Sequence, residues 1–89
     1  MAEYNQRHSK ATTILALIPA YNEAERITAV ITGTRALLPV LVVDDGSTDD
    51  TAAISSALGA EVLRQLPNQG KGAALLAGFR YALEMGYQA

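Results

Sequence analysis

Three short apolar runs alternate with three longer stretches in which apolar residues recur at helical spacing. The run 13–18 is continuously apolar rather than alternating, which is typical of a parallel strand covered on both faces. Pro19 is predicted to end that strand. The run 40–43 predicts a second buried strand, which stops at two carboxylates. The run 61–64 is more polar and predicts an edge strand.

The first helical stretch lies between the first two apolar runs. Asn22 is predicted to cap this helix, with Glu23 and Glu25 in the first turn, where the helix dipole favours anions. Its apolar positions are Ile27, Val30, Ile31, Leu37 and Leu38. That spacing predicts one buried helix face.

A second and a third helix are predicted after the later strands. Ser47 or Thr48 caps the second helix, and Gly59 ends it. The inner face of the second helix is predicted to carry Ala53, Ile54, Ala57 and Leu58. The third helix carries Leu75, Leu76, Phe79, Ala82 and Leu83 at helical spacing, with Gly86 past its end. The order of elements is therefore βαβαβα.

Strands and helices in this alternating order form a parallel sheet with right-handed crossovers. The predicted fold class is α/β, with helices on both faces of the sheet in three layers. Ligands of such sheets bind beyond the carboxyl ends of the strands. Tyr21 and Glu23 follow the first strand, and Asp44 and Asp45 follow the second. We therefore expect these four side chains to converge on one crevice.

Composition narrows the functional classes. The 89 residues allow one domain, and the polar residues 1–12 are predicted to be a disordered terminus. A formal charge of −2 with scattered basic residues argues against nucleic-acid binding. No cysteine is present, so nothing indicates an oxidising compartment, and a cytoplasmic location is the default expectation.

Two acidic constellations are candidates for ligand binding. Tyr21 offers a flat face on which a heterocycle can stack. Glu23 would then lie near the polar edge of that heterocycle or near a ribose. A semi-exposed loop tyrosine and a helix-start glutamate are the ordinary alternative. Asp44 and Asp45 repel each other unless hydrogen-bond donors or a ligand offset the repulsion. A carboxylate such as Asp44 can accept the N–H groups of a base edge, whereas Asp49 is assigned to the helix start.

The glycine-rich stretch around Lys71 is the third candidate. A lysine between Gly70 and Gly72 at a helix start can reach a diphosphate or a base carbonyl. A solvated lysine in a flexible loop is the alternative. Gln65 stands where a Walker A motif requires glycine, and a G-x-G-x-x-G motif is absent after the first strand. The known phosphate-binding motifs therefore do not explain this stretch.

Together, three ordered motifs resemble the amino-terminal half of the family 2 glycosyltransferases, which have the Rossmann-like GT-A fold of nucleotide-diphospho-sugar transferases. The motifs are IPAYNE (18–23), VVDDGSTDDT (42–51) and NQGKGAALLAGFRYA (68–82). The resemblance covers nearly all of residues 13–87, so residues 13–89 are expected to form a partial GT-A nucleotide-binding domain. The third motif is most similar to that of enzymes that transfer mannose or glucose to a polyprenyl phosphate such as dolichyl phosphate.

The resemblance implies a role for six residues in binding a UDP- or GDP-sugar. Pro19, Tyr21 and Glu23 would line the nucleoside pocket, with Tyr21 packed on the base. Asp44 would hydrogen-bond the base edge and Asp45 would support that loop. Lys71 would help to hold the nucleotide.

The resemblance also implies parts that this sequence does not contain. Family members carry an Asp-x-Asp on the next strand, which binds Mg²⁺ or Mn²⁺ on the donor diphosphate, and a catalytic base farther along. Inverting transfer needs both a base and a cation. The sequence stops at 85–89, before that fourth strand. We therefore expect a truncated part of a glycosyltransferase that binds no metal by itself and is inactive. The parent enzyme is expected to act in the cytoplasm, with the cytoplasmic face of a membrane as one possible location. Self-association through the open edge of the first strand is expected as well.

Two other classes remain as alternatives. The stretch VLVVDDG (40–46) resembles the acidic pair of a signalling receiver domain, although here the pair follows the second strand rather than the first. A non-catalytic nucleotide-binding module is the other alternative. Tight UDP or GDP binding that is lost in Asp44→Ala would favour the transferase, and acetyl-phosphate labelling of Asp44 or Asp45 would favour the receiver.

Overall fold

The computed structural model describes residues 14–87, so the disorder predicted for residues 1–12 lies outside the described part. Three parallel strands form one sheet in the order β1-β2-β3. Their bounds are Ala16–Ala20 for β1, Val40–Asp44 for β2 and Glu61–Arg64 for β3. The central strand β2 is buried at all five positions, as its continuous apolar run predicts.

Three helices cover the two faces of this sheet. Their bounds are Ile27–Arg35 for α1, Thr51–Ala57 for α2 and Lys71–Glu84 for α3. Ile27 and Ile31 of α1 pack with Val42 on one face, and Ala74 and Ala82 of α3 pack with β2 on the other. The predicted three-layer parallel βαβαβα fold is confirmed.

Strand β1 runs two residues farther than predicted and includes Pro19. The N–H of Ala16 donates to Pro39, and the carbonyl of Ala20 accepts from the N–H of Asp45, so the neighbouring Pro19 turns its nitrogen away from β2. A proline is tolerated there because no ladder hydrogen bond to β2 is lost. The prediction that Pro19 ends the strand is therefore wrong.

Helix α1 begins at Ile27, five residues after Asn22, which was its predicted N-cap. Asn22 has a positive φ of 53°, and the residue at the N-cap position is Arg26, without a side-chain capping bond. The positive φ excludes Asn22 from a helix start, because cap residues take extended backbone angles. Ile27 and Ile31 are buried as predicted, whereas Val30 is exposed.

The inner faces of the other two helices also differ from prediction. In α2 the fully buried positions are Thr51 and Ser55, whereas Ala53 and Ala57 face solvent. In α3 the buried positions are Ala74, Gly78 and Ala82, and the exposed ones include Leu76, Phe79 and Leu83. A Cβ on Gly78 would lie 2.4 Å from Leu17 Cδ1. Helix α3 therefore approaches the sheet too closely for large side chains, and the small residues face inward.

Candidate functional site

A cavity of about 330 Å³ opens at the carboxyl ends of the strands; we call it the carboxyl-edge cavity. Five of the six residues predicted from the sequence line it: Pro19, Tyr21, Glu23, Asp45 and Lys71. Asn68, Gly70 and Ala74 contribute further lining. The crevice predicted from the parallel order of the strands is therefore present, and the ends of β1 and β2 meet the start of α3 there.

The aromatic and cationic side chains of the cavity are accessible. Tyr21 is 48% exposed, so its ring has a free face. Lys71 is exposed and, within residues 14–87, has no hydrogen-bond or ion-pair partner for its ammonium group. Glu23 is paired with Arg26 at 2.8 Å. An aromatic face and a free cation on one cavity suit a ligand with both a flat ring and an anionic group.

Asp44 is the predicted site residue that the structure does not bring to the cavity. Its side chain is 0% exposed, and its carboxylate binds Arg64 Nε at 2.8 Å and the hydroxyl of Ser47. Adjacent residues along a strand point to opposite faces, which separates Asp44 from Asp45 at the end of β2. The predicted contact between Asp44 and a base edge stays a prediction, and it requires Asp44 to leave Arg64.

Asp45 fixes the loop before α3. Its two carboxylate oxygens accept the N–H groups of Gln69 at 2.7 Å and Gly70 at 2.8 Å, and its carbonyl accepts Asn68 Nδ2 at 2.9 Å. Two backbone N–H donors satisfy a buried carboxylate without a cation. Asp45 therefore sets the position of Lys71 relative to the strand ends, which is a loop-supporting geometry.

The polar side chains after β2 bind the backbone after β1. The N–H groups of three successive residues after β1 each donate to one of these side chains. In return, the side chain of Asn22 accepts the N–H of Thr48. The three bonds run from Asn22 to Ser47 Oγ at 2.8 Å, from Glu23 to Thr51 Oγ1 at 2.9 Å and from Ala24 to Asp49 Oδ2 at 3.2 Å. These bonds hold Tyr21 and Glu23 against the second motif.

The hydrogen bonds of Asp49 lower the pKa of its carboxyl group. Its carboxylate accepts the hydroxyl and the N–H of Thr51, and the hydrogen bond from the Thr51 side chain is the main reason that the pKa of Asp49 is lowered. Hydrogen bonds that favour the charged form act in this direction. The sequence pattern predicts Asp49 only as a residue of the helix start and does not indicate its bond to Ala24.

Further residues were missed because their partners are distant in sequence. Asn22 was assigned to the cap of α1, and Arg64 to an edge strand, yet both bind side chains or backbone of the second motif. The adjacent polar residues at two strand ends were a signal that these loops meet. Nothing in the one-dimensional pattern pairs Asn22 with Ser47 or Thr48.

Within residues 14–87, no group of three or more His, Cys, Asp or Glu side chains comes together in a way that could hold a metal ion. In the same part of the chain, none of the helices combines the length and the apolar character needed to cross a membrane.

Comparison with known proteins gives a consistent result. The profile of the family described as Glycosyl transferase family 2 matches residues 16–84. Undecaprenyl-phosphate mannosyltransferase of Micrococcus luteus is 40% identical over 82 residues, covering 83% of this chain and 34% of the relative. Polyprenol monophosphomannose synthase of Mycolicibacterium smegmatis is 38% identical, covering 82% and 31%.

Solved structures give the same picture. Glucosyl-3-phosphoglycerate synthase from Mycobacterium tuberculosis, in complex with Mn²⁺, UDP-glucose and phosphoglyceric acid, superposes with a TM-score of 0.61 at 37% sequence identity. The match covers 74% of this chain and 28% of the synthase. The chain thus spans about a third of the length of the relatives that it matches.

Proposed function

This chain belongs to glycosyl transferase family 2, and from that premise we propose that it binds the nucleotide of a sugar donor. The donor is a UDP- or GDP-hexose, and the chain forms the amino-terminal, nucleotide-binding part of an inverting glycosyltransferase. The observation that carries this proposal is the carboxyl-edge cavity, where an accessible tyrosine ring and a free lysine lie together.

Each part of a nucleoside diphosphate has a matching group at the cavity. The ring of Tyr21 stacks on the base, beside Pro19. Lys71, at the start of α3, attracts the diphosphate, and the amino end of this 14-residue helix adds a positive partial charge. Glu23 lines the cavity, and its carboxylate is proposed to accept a ribose hydroxyl. Asp45 keeps Lys71 in place through Gln69 and Gly70.

The names of two relatives support a proposal for the acceptor. Two of them are named for mannosyl transfer to undecaprenyl phosphate or for polyprenol monophosphomannose synthesis, and these names support a polyprenyl phosphate as the acceptor. Such a lipid acceptor supports action at the cytoplasmic face of a membrane. UDP-glucose in a related synthase supports a uridine donor, and the mannosyl relatives leave a guanosine donor as the second candidate.

The transfer chemistry itself is not assigned to residues 14–87. A departing diphosphate requires a cation. A hydroxyl acceptor would also require a base, whereas the phosphate of a polyprenyl phosphate is already an anion near neutral pH and can attack without one. The related synthase is described with Mn²⁺, so the proposal includes a divalent cation, Mg²⁺ or Mn²⁺, in the whole enzyme. The carboxylates within residues 14–87 do not form a group that fits such an ion, and this chain alone is proposed to bind donor without turning it over.

The open edge of the sheet supports a further proposal, that the isolated chain self-associates. Within residues 14–87, β1 pairs with β2 alone, so Leu17 directs its backbone groups to the unpaired side. A strand edge of that kind can pair with a second copy. Light scattering across a concentration series is the test: a rising mass supports the proposal, and a monomer at every concentration contradicts it.

Calorimetric titration with UDP, GDP, CDP and ADP tests the proposed function. We expect saturable binding of UDP or GDP, and at least about tenfold weaker binding of CDP and ADP. Incubation with acetyl phosphate, followed by mass spectrometry, tests the receiver alternative. Absence of binding to every nucleotide, or labelling at Asp44 or Asp45, would contradict the proposal.

A further inference from the structure

Arg64 links the edge strand of the sheet to the loop after β2. It is the last residue of β3, and its Nε donates to Asp44 Oδ2 at 2.8 Å. A second guanidinium nitrogen, Nη2, donates to the carbonyl of Ser47 at 2.9 Å. Arg64 is not among the residues that line the carboxyl-edge cavity, so an effect of Arg64 on a ligand in that cavity is expected to act through these two bonds.

The bonds continue from Arg64 to the backbone that carries Tyr21. The hydroxyl of Ser47 donates to Asp44 Oδ1 and accepts the N–H of Asn22 at 2.8 Å. Asn22 directly follows Tyr21 and has a φ of 53°. Asparagine tolerates this left-handed conformation better than most residues other than glycine, and the bonds of its N–H and side chain to Ser47 and Thr48 hold it there. Four residues therefore form one chain of bonds: Arg64, Asp44, Ser47 and Asn22.

The charge and shape of arginine explain why this chain of bonds depends on it. The Asp44 carboxylate is fully buried, and a buried anion requires a paired cation or several donors. A guanidinium donates in two fixed directions at once, whereas an ammonium acts as a point charge. Arg64 thus neutralises Asp44 and fixes the Ser47 backbone at the same time.

We propose that Arg64 is a positioning residue for nucleotide binding, which acts through Asp44, Ser47 and Asn22 on the placement of Tyr21. The proposal rests on the proposed function for its ligand, although the bonds themselves do not. It assigns Asp44 to the scaffold of the site, and it predicts that an edge-strand residue outside the cavity controls affinity for the nucleotide.

The first arm of the test uses the chain without ligand. Amide hydrogen exchange is compared for the wild type, Arg64→Ala and Arg80→Ala, the last a matched control because Arg80 is exposed on α3. Arg64→Ala is expected to lower the protection of the Asn22 amide at least about tenfold while that of Val42, in the middle of β2, stays unchanged. Arg80→Ala is expected to change neither.

The second arm uses UDP and a double-mutant cycle with Tyr21→Ala. We expect Arg64→Ala to weaken UDP binding about tenfold in the wild-type background and less than about twofold when Tyr21 is already alanine, because the two residues act through one contact. Arg64→Lys keeps the positive charge but loses the two fixed donor directions of the guanidinium. The affinity of this variant for UDP is therefore expected to lie between those of the wild type and Arg64→Ala. If Arg64→Ala does not fold, Arg64→Lys serves in both arms.

The outcomes separate the two claims. Unchanged Asn22 protection in Arg64→Ala and Arg64→Lys would overturn the positioning role, whether or not UDP binds. An equal loss of affinity with and without the Tyr21 ring would also overturn it, because Arg64 would then act independently of Tyr21. Loss of Asn22 protection in a chain that binds neither UDP nor GDP would leave the chain of bonds standing and overturn the proposed function instead.

Discussion

The two edges of the sheet, at the carboxyl and the amino ends of the strands, carry cavities of similar size. The carboxyl-edge cavity measures about 330 Å³, and a second cavity of about 350 Å³ opens at the amino ends of the strands. The second, which we call the amino-edge cavity, is lined by Leu15, Leu38, Pro39, Val40 and Gly59, together with Arg35, Glu61 and Tyr87. Size therefore does not distinguish the two edges.

The two edges differ in how their loops are held. At the carboxyl edge, side chains from one loop bind consecutive backbone N–H groups of another, as Ser47 does for Asn22. At the amino edge, the Arg35 side chain bonds the carbonyl of Gly59 at 3.1 Å, and that bond is exposed. A site that must present several groups to one ligand needs rigid loops, and the carboxyl edge alone shows that construction among residues 14–87.

The largest expected difference between the edges is in stability. Asp44→Ala leaves the Ser47 hydroxyl and the Arg64 guanidinium without their buried partner, and we expect it to lower the free energy of unfolding by about 3 kcal/mol. Arg35→Ala, at the amino edge, is expected to cost about 1 kcal/mol or less. Urea unfolding followed by circular dichroism measures both, and equal losses would contradict the comparison.

Two glycines with positive φ make a matched pair. Gly46 (φ 77°) lies at the carboxyl edge, where a Cβ would meet the backbone nitrogen of Asn68 at 2.8 Å. Gly59 (φ 90°) lies at the amino edge, where the obstacle is the Arg35 side chain. A side chain can move and a backbone held by Asp45 cannot, so Gly46→Ala is expected to cost about 2–3 kcal/mol and Gly59→Ala about 1 kcal/mol. A reversed order in thermal unfolding would show that the carboxyl-edge loops are not the rigid ones.

Nucleotide affinity should respond to cations at one edge only. Lys71→Ala removes the free cation of the carboxyl-edge cavity, and we expect UDP or GDP binding to weaken about tenfold, which corresponds to about 1.4 kcal/mol. Arg35→Ala removes a cation at the amino edge and is expected to leave affinity within about twofold of the wild type. Calorimetric titration measures both variants. A larger loss of affinity in Arg35→Ala than in Lys71→Ala would contradict binding at the carboxyl edge.

The smallest expected effects appear as opposite pH dependences. The pKa of Asp49 is lowered by its hydrogen bond from Thr51, so its stabilising contribution is complete above its ordinary value of 3.8 and is lost as the pH falls through the lowered value. The pKa of Tyr81 is raised by its hydrogen bond to Glu61 at the amino edge. Its contribution is complete below its ordinary value of 10.0 and is lost as the pH rises through the raised value.

Thermal unfolding of two variants across pH measures these contributions. The difference between the wild type and Asp49→Asn is expected to vanish in acid, and that between the wild type and Tyr81→Phe to vanish in alkali. A difference that stays constant over the whole range would show that the corresponding hydrogen bond does not depend on the charge state described here.

The order of elements, the parallel sheet and the meeting of two loops were all predictable from the sequence. Continuous apolar runs that end at polar clusters require buried strands, and parallel order then brings the ends of β1 and β2 to one edge. Tyr21, Glu23 and Asp45 were predicted in that way and line the cavity, whereas Asp44, predicted in the same way, does not. Lys71 was predicted separately, from the glycine-rich helix start, and also lines the cavity.

The directions of individual side chains were not predictable. Helical spacing marks apolar residues as inward-facing, but α3 lies so close to Leu17 and Val43 that Gly78 faces inward and Phe79 faces out. The approach distance is a tertiary property, and a sequence pattern does not contain it. The role of Asn22 was missed for a related reason, because its partner Ser47 is 25 residues away.

A nuclear magnetic resonance titration of the ¹⁵N-labelled chain with UDP and GDP tests most directly whether the carboxyl edge is the nucleotide site. We expect saturable shifts at the amides of Tyr21, Gly70 and Lys71, with those of Leu38 and Gly59 at the amino edge unmoved. Shifts that concentrate at Leu38 and Gly59, or none that saturate with either nucleotide, would contradict the account.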